Sequence, residues 1–189
     1  MKICAIIPAR GGSKRLKKKN IHPVWGYPML YWSIQACKNC KYDITPWVST
    51  EDDEIAEVAK DCGAQVIKRD ARLADDKTYK QAVIRAAATA VEASEGPQDI
   101  YISLQANSPQ IKPEHLEGAI DTLLTYKRSE VFSVDENLMQ NAAFRIFKGD
   151  YVFQEDLSTN CGVFICPLHD VHTLEDVQNI ELAVMEKTT

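Results

Sequence analysis

No stretch of this 189-residue chain approaches the ~20 consecutive apolar residues that a membrane-spanning helix needs, so no span is expected. The apolar run nearest the N-terminus covers only Ile3 to Ile7 before Pro8 interrupts it, too little for the core of a secretory signal. Cysteine is sparse for a disulfide scaffold: Cys4, Cys37, Cys40, Cys62, Cys161 and Cys166 are all there is. Without an export signal they read as reduced thiols of a cytoplasmic protein. Cys37 and Cys40 form C-x-x-C, but no second pair stands at zinc-site spacing; Cys161 and Cys166 fall on opposite faces of a short strand. Positive charge is in deficit, 22 Lys plus Arg against 27 Asp plus Glu, a net charge of −5. That excludes a broad phosphate-neutralising surface, and with it bulk nucleic-acid binding. Repeats, low-complexity tracts and long linkers are also missing, which leaves one domain over residues 1–189. What is present suits a globular protein: 45% hydrophobic and 26% charged residues, in a chain long enough to bury a substantial core.

Short apolar runs alternate with amphipathic segments. Lys2 to Pro8 is almost continuously apolar, as a strand buried on both faces of a parallel sheet must be. The pattern predicts further strands at Ile44 to Ser49, Gln65 to Lys68 and Ile100 to Gln105, and shorter ones at Val131 to Val134, Phe144 to Phe147 and Cys161 to Cys166. Helices are expected over Met29 to Cys37, Thr50 to Asp61, Tyr79 to Ala93, Pro113 to Tyr126 and Thr173 to Glu186. Thr50 with Asp53, and Thr173 with Asp176, have capping-box spacing. Such alternation builds βαβ units, hence an α/β fold with a mainly parallel sheet and helices on both faces. Ligands in these sheets bind beyond the carboxyl ends of the strands. Both "ARGGSKRLKKKN" (9–20) and "LQANSPQ" (104–110) fall there.

The first of these segments concentrates six basic residues between Arg10 and Lys19. Gly11 and Gly12 can take positive φ and let backbone N–H groups approach a ligand closely. Ser13 adds a hydroxyl, and Arg10, Lys14, Arg15 and Lys19 supply charge. A strand running into such a loop suits a polyphosphate. Neither the Walker A pattern nor the dinucleotide G-x-G-x-x-G is present. On spacing alone, a glycine turn followed by a solvated basic face stays open as the other reading.

"IIPARGGSKRLKKKNI" (6–21) resembles the nucleotide-binding signature of the acylneuraminate cytidylyltransferases, I-I-P-A-R-G-G-S-K-G-x-P-x-K-N-I; the related CMP-Kdo synthetases carry a cousin of it. Four more segments match in order. "WVSTEDDEIAEVAKDCGAQVIKRDARLADD" (47–76) resembles V-S-T-D-x-x-x-I-A-x-x-A-x-x-x-G-A-x-V-x-x-R-P-x-x-L-A-x-D. "SLQANSPQ" (103–110) is similar to L-Q-P-T-S-P-L, "TNCGVFI" (159–165) to N-G-A-I-Y-I, and "DVHTLEDVQNIELA" (170–183) to D-I-D-T-x-x-D-x-x-x-A-E. The resemblance implies a three-layer Rossmann-like (GT-A-like) nucleotide-diphospho-sugar transferase fold. It implies transfer of CMP from CTP to the anomeric hydroxyl of a sialic-acid-like 2-keto-3-deoxy sugar acid, with release of pyrophosphate and dependence on Mg²⁺ or Mn²⁺. It further implies a homodimer. Under it, Ala9, Arg10, Gly11, Gly12, Ser13, Lys14, Asn20 and Arg69 hold the nucleotide, with Arg10, Lys19 and Asp170 catalytic. Gln105, Asn107, Asn160 and Arg145 meet the sugar acid, and Asp170 and His172 fall on the metal pair.

The chain departs from the pattern at instructive places. His172 replaces the second metal aspartate, and imidazole is a poor Mg²⁺ ligand though transition metals accept it; His169, Asp170 and His172 would together suit such a metal. Lys17 replaces the loop proline. Few residues separate Tyr151 from Thr159, or Cys166 from Asp170, where the family carries longer inserts. Arg145 is the expected substitute for the arginines lost with them. Plainer roles stay open: an Arg69–Asp70 surface pair, Gln105 and Asn107 capping a strand, Asp170 leading into a helix, and a solvent-facing Arg145. The alternative function is a catalytically impaired nucleotide-binding or partner-binding module of the same fold.

Overall fold

The computed structural model describes residues 1–75, 78–156 and 158–185. Strand β1 (Ile3–Pro8) leads through a basic loop to a two-stranded ribbon, β2 (Pro23–Val24) and β3 (Tyr27–Pro28). There follow α1 (Met29–Lys38), β4 (Ile44–Thr50), α2 (Asp53–Asp61), β5 (Gln65–Lys68), α3 (Lys80–Glu95) and β6 (Ile100–Leu104). The chain ends with α4 (Pro113–Thr125), β7 (Glu130–Val134), β8 (Gln140–Lys148), β9 (Cys161–Ile165) and α5 (Leu174–Met185). Seven strands form one sheet in the order β5-β4-β1-β6-β8-β7-β9. Only β8 runs antiparallel to its neighbours. No helix among the described residues is long and apolar enough to cross a membrane.

Helices cover both faces, as the alternation required. On one face Leu30 and Ile34 of α1, Ile55 of α2 and Leu116 and Ile120 of α4 pack on Ile3, Ala5 and Ile7. On the other, Ile84, Ala88 and Val91 of α3 meet Cys4, Ile6, Tyr101 and Phe147. β1 therefore contributes to both layers, the reason its run is apolar throughout; each such buried aliphatic side chain contributes about 1.5–3 kcal/mol. A third, smaller cluster joins Val177 and Ile180 of α5 to Val24, Met29 and Leu16, so α5 packs over the ribbon and pins the basic loop by its one buried leucine.

Several expectations needed correction. The cap of α2 is Asp52, whose Oδ1 accepts from the Glu54 and Ile55 N–H groups at 2.9 and 3.1 Å. Thr50 stays in β4 and only accepts from Asp52 N–H at 3.1 Å. Asp is as good an N-cap as Thr, and the strand's hydrogen bonds hold Thr50 back. The Thr173–Asp176 box does form, with Thr173 N–H donating to Asp176 at 2.8 Å and Asp176 N–H to Thr173 Oγ1 at 3.2 Å. β8 is nine residues long, not four, because its first part, Gln140 to Ala142, is held by backbone pairing and lacks the apolar alternation that would announce it. The β2–β3 ribbon carried no strand signal because prolines flank it; its turn places Trp25 and Gly26 at φ 49° and 81°. Cys161 is exposed and Cys166 buried; the expected strand through Cys166 stops at Ile165, so Cys166 lies just past it. Glu186 and Asp76, at the ends of an expected helix and motif, lie outside the described residues.

Candidate active site

From β1 the chain moves to β4 and β5 on one side, then returns to β6 and the remaining strands on the other. The connections thus diverge at β1 and β6, and a crevice opens beyond the carboxyl ends of that pair. A cavity of about 540 Å³ occupies it. Arg10, Lys14, Arg15, Lys19, Arg69 and Lys80 all line it. Asp75 lines it too and Arg69 is paired with Glu51, but the cations of the lining outnumber its carboxylates, an arrangement that favours a highly charged anion.

The basic loop is tied down at each turn. Ala9 N–H donates to Ser49 O at 3.0 Å, and buried Asn20 donates from Nδ2 to Arg10 O at 3.0 Å, closing the loop on itself. Lys18 pairs with Glu54 at 2.5 Å, both side chains staying half exposed. Neither Gly11 nor Gly12 takes a positive φ, against expectation. Gly11 is needed for another reason: a Cβ there would lie 2.3 Å from Asp52 Oδ2. Gly12 faces open space.

Glu51 connects the loop to its neighbour. It accepts from Gly11 N–H at 2.8 Å and from Arg69 Nη2 at 2.5 Å. Burial works toward protonating this carboxyl, but the bonds from Arg69 and Gly11 outweigh it and hold its pKa below the ordinary value. The surface pair expected between Arg69 and Asp70 does not form; Asp70 pairs with Arg72, and Arg69 is turned inward. Glu51 is absent from the expected site residues, although it stands where the resembling pattern has the aspartate of V-S-T-D.

The opposite wall comes from the segment after β6 and the one before α5. Asn107 and Val171 clasp each other, Nδ2 to Val171 O at 2.9 Å and Val171 N–H to Asn107 O at 2.8 Å. Ser108 Oγ donates to Asp170 Oδ1 at 2.5 Å. Gln105 is fixed through its backbone, donating to Ala143 O and accepting from Ser33 Oγ, so its side chain serves the cavity wall. Across the gap, burial lowers the pKa of Lys19, with Asp170 opposing and Arg15 and Arg10 adding to the fall. Lys80 is exposed at the residue level, yet desolvation lowers the pKa of its ammonium to about 8, with Asp170 opposing and Arg145 adding to the fall. Burial, then Lys19 and Arg15, also lower the pKa of His172, which favours neutral imidazole.

The cytidylyltransferase family model matches residues 4–156. The chain belongs to the cytidylyltransferase family. It is 36% identical over 133 residues to an N-acylneuraminate cytidylyltransferase of Oncorhynchus mykiss, covering 70% of this chain but only 30% of that protein. It is 31% identical over 225 aligned positions to post-translational flagellin modification protein B of Campylobacter coli, covering 98% and 96% of the two chains. That alignment is longer than the present chain, so the Campylobacter protein carries inserted residues. Among solved structures, a CMP:2-keto-3-deoxy-manno-octonic acid synthetase complexed with CTP superposes with a TM-score of 0.78 at 16% identity, covering 99% and 100% of the chains. At that identity the likeness establishes the fold.

In this cytidylyltransferase-family chain the cavity gathers Arg10, Ser13, Lys14, Lys19, Asn20, Arg69, Gln105, Asn107 and His172 from segments far apart in sequence. Asp170 does not itself line this cavity but lies close enough for its charge to act on Lys19 and His172, and two further expected residues are placed elsewhere. Asn160 precedes β9 at the amino ends of the parallel strands, bonded to Lys127 O, Ser129 Oγ and Arg128. It is displaced because β9 enters the sheet parallel to β7, which sends the strand's start to the far edge. Arg145 lines a neighbouring hollow, but its Nε and Nη2 both engage Glu130. No group of three His, Cys, Asp or Glu residues able to hold a metal occurs among the described residues, so His169, Asp170 and His172 do not assemble into a protein-only metal site.

Proposed function

We propose that this chain transfers CMP from CTP to the anomeric hydroxyl of a sialic-acid-like 2-keto-3-deoxy sugar acid. The observation that carries the reading is the ring of cations in a crevice at the divergence of β1 and β6, in a chain of this family. Arg10, Ser13, Lys14 and Lys19 hold the triphosphate, and Arg69, fixed by Glu51, holds the nucleotide from the side. The sugar hydroxyl oxygen attacks the α-phosphorus and forms a new P–O bond. The bond from that phosphorus to the β-bridging oxygen breaks, and pyrophosphate leaves with the electron pair; the hydroxyl proton passes to solvent. Cations placed along the leaving oxygens stabilise charge as it develops, which is most of what such a transfer asks of a protein.

The donor set suits a divalent metal only together with the nucleotide. Asp170 is oriented by the bond from Ser108 to its Oδ1. Mg²⁺ is typically bound by one or two carboxylates with phosphate oxygens and water, so Asp170 would hold it. When bound, such a metal draws off negative charge from the phosphates. His172 offers a ligand that Mn²⁺ accepts more readily. His172→Asp is accordingly expected to lower the Mg²⁺ concentration giving half-maximal rate several-fold; an unchanged or raised requirement would remove His172 from the metal's surroundings.

The test of the reading is pyrophosphate release by the purified chain with CTP, Mg²⁺ or Mn²⁺ and a panel of sialic-acid-like and Kdo-like acids. Release with at least one acid, dependent on that acid, is expected. CTP binding without release under any pairing would favour the impaired module, a reading supported by His172 standing where the resembling pattern has its second aspartate.

A further inference from the structure

The main cavity and a second hollow of about 390 Å³ meet at Lys80 and Gln105, which line both. The second hollow is walled chiefly by Gln81, Gln140, Asn141, Phe144 and Arg145, and no Asp or Glu lines it among the described residues. It is a polar chamber that tolerates an anion. Its two cations are not equivalent. Arg145 is committed to Glu130, a carboxylate only 2% exposed, at 2.6 Å from Nε and 2.5 Å from Nη2. Releasing it would strand a buried charge. Lys80 makes no ion pair or hydrogen bond among the described residues; Asp170 acts on it only across the cleft.

The acceptor's own chemistry fixes where its carboxylate must lie. In a 2-keto-3-deoxy acid the carboxylate is bonded to the anomeric carbon, one bond from the attacking hydroxyl. That hydroxyl must reach the α-phosphorus, at the boundary between nucleotide and acceptor chambers, so the carboxylate must lie at the boundary too. We infer, building on the function proposed above, that Lys80 binds the acceptor carboxylate and thereby sets the anomeric hydroxyl against the α-phosphorus. Its place at the first residue of α3 puts it on a rigid element, and a single ammonium can follow one carboxylate without the fork geometry an arginine imposes. Desolvation lowers the pKa of this ammonium to about 8, and an arriving carboxylate favours its charged form and offsets that fall. Lys80 belongs to none of the motifs by which the chain resembles its family, so no pattern in the sequence points to it.

The experiment compares wild type with Lys80→Gln and Lys80→Arg. Initial rates are taken against acid concentration at saturating CTP, and CTP affinity is measured separately by calorimetry. Lys80→Gln is expected to raise the KM for the acid about 10- to 100-fold, the scale of one lost charge-assisted contact. CTP affinity should stay within about twofold, and Lys80→Arg should restore part of the loss. Wild type should also reject the acid's carboxamide analogue, whereas Lys80→Gln should treat acid and amide alike. An unchanged acid KM, or a parallel loss of CTP affinity, overturns the assignment. If wild type forms no CMP-sugar with any acid, the proposed reaction fails, and calorimetry of the acids on CTP-loaded protein then decides Lys80. Weaker binding to Lys80→Gln than to wild type upholds it; equal binding, or none to wild type, overturns it.

Discussion

Lys19→Met is expected to lower kcat/KM for CTP by about 10²- to 10³-fold while leaving the thermal midpoint unchanged or slightly raised. Lys19 sits half-buried in the cavity with Arg15 and Arg10 beside it, and burial lowers its pKa from the ordinary 10.5. In the absence of ligand the fold therefore bears the cost of a crowded, partly desolvated cation, and methionine keeps the stem while removing the charge. With a triphosphate bound, the same charge faces the phosphates, where one donor to developing charge is worth roughly 3–4 kcal/mol. A loss of activity without a loss of stability is the signature of a residue held for its ligand. Equal falls in both would make Lys19 a structural residue of the loop.

Arg69→Leu should do the reverse, costing both stability and nucleotide binding. The Arg69 side chain is 5% exposed and that of Glu51 21%, so removing the guanidinium leaves Glu51 half-desolvated with backbone N–H groups, that of Gly11 among them, but no cation for a partner. Breaking a buried pair from one side costs about 3–5 kcal/mol, and in a chain of this size roughly 10 °C of Tm. The pH dependence has a definite sign. The Glu51 pKa is lowered in the fold, so its contribution to stability is full above the ordinary 4.5 and is lost as pH falls through the folded value. The stability gap between wild type and variant should therefore narrow as pH drops below 4.5. The double variant Glu51→Leu with Arg69→Leu should recover much of the Tm but none of the CTP affinity, measured by thermal melts and calorimetry. Full recovery of affinity would count against Arg69 as a nucleotide contact.

These two residues differ in how far the sequence betrays them. Lys19 lies in a contiguous segment whose glycines and charges suit phosphate, and whose resemblance to a family signature singles that reading out. Arg69 matches a motif too, yet its local context offers Asp70 as an equally good partner, and only packing turns the guanidinium inward to Glu51. Glu51 itself is hidden because an acidic residue beside a phosphate loop looks unhelpful until its hydrogen bonds to Gly11 and Arg69 are seen. Leu16 is lost among basic neighbours, since a single apolar residue in a charged loop has no period.

The sequence by itself determined the α/β class, the parallel strands β1, β4, β5 and β6, and the helices between them. Each is a local consequence of apolar spacing and capping that the surrounding fold merely confirms. It also marked the basic loop as a candidate for a phosphate ligand, because charge and glycine there are contiguous. Tertiary structure alone decided what depends on distant contacts. It put Asn160 at the far edge of the sheet, because strand direction is set by pairing with β7. It committed Arg145 to Glu130, because both are brought together by the β7–β8 hairpin. It left Lys80 at the junction of two chambers, because that junction exists only where the end of β6 meets the start of α3. Spacing along a chain encodes what neighbours will do; which charges face one another across a crevice is decided by packing.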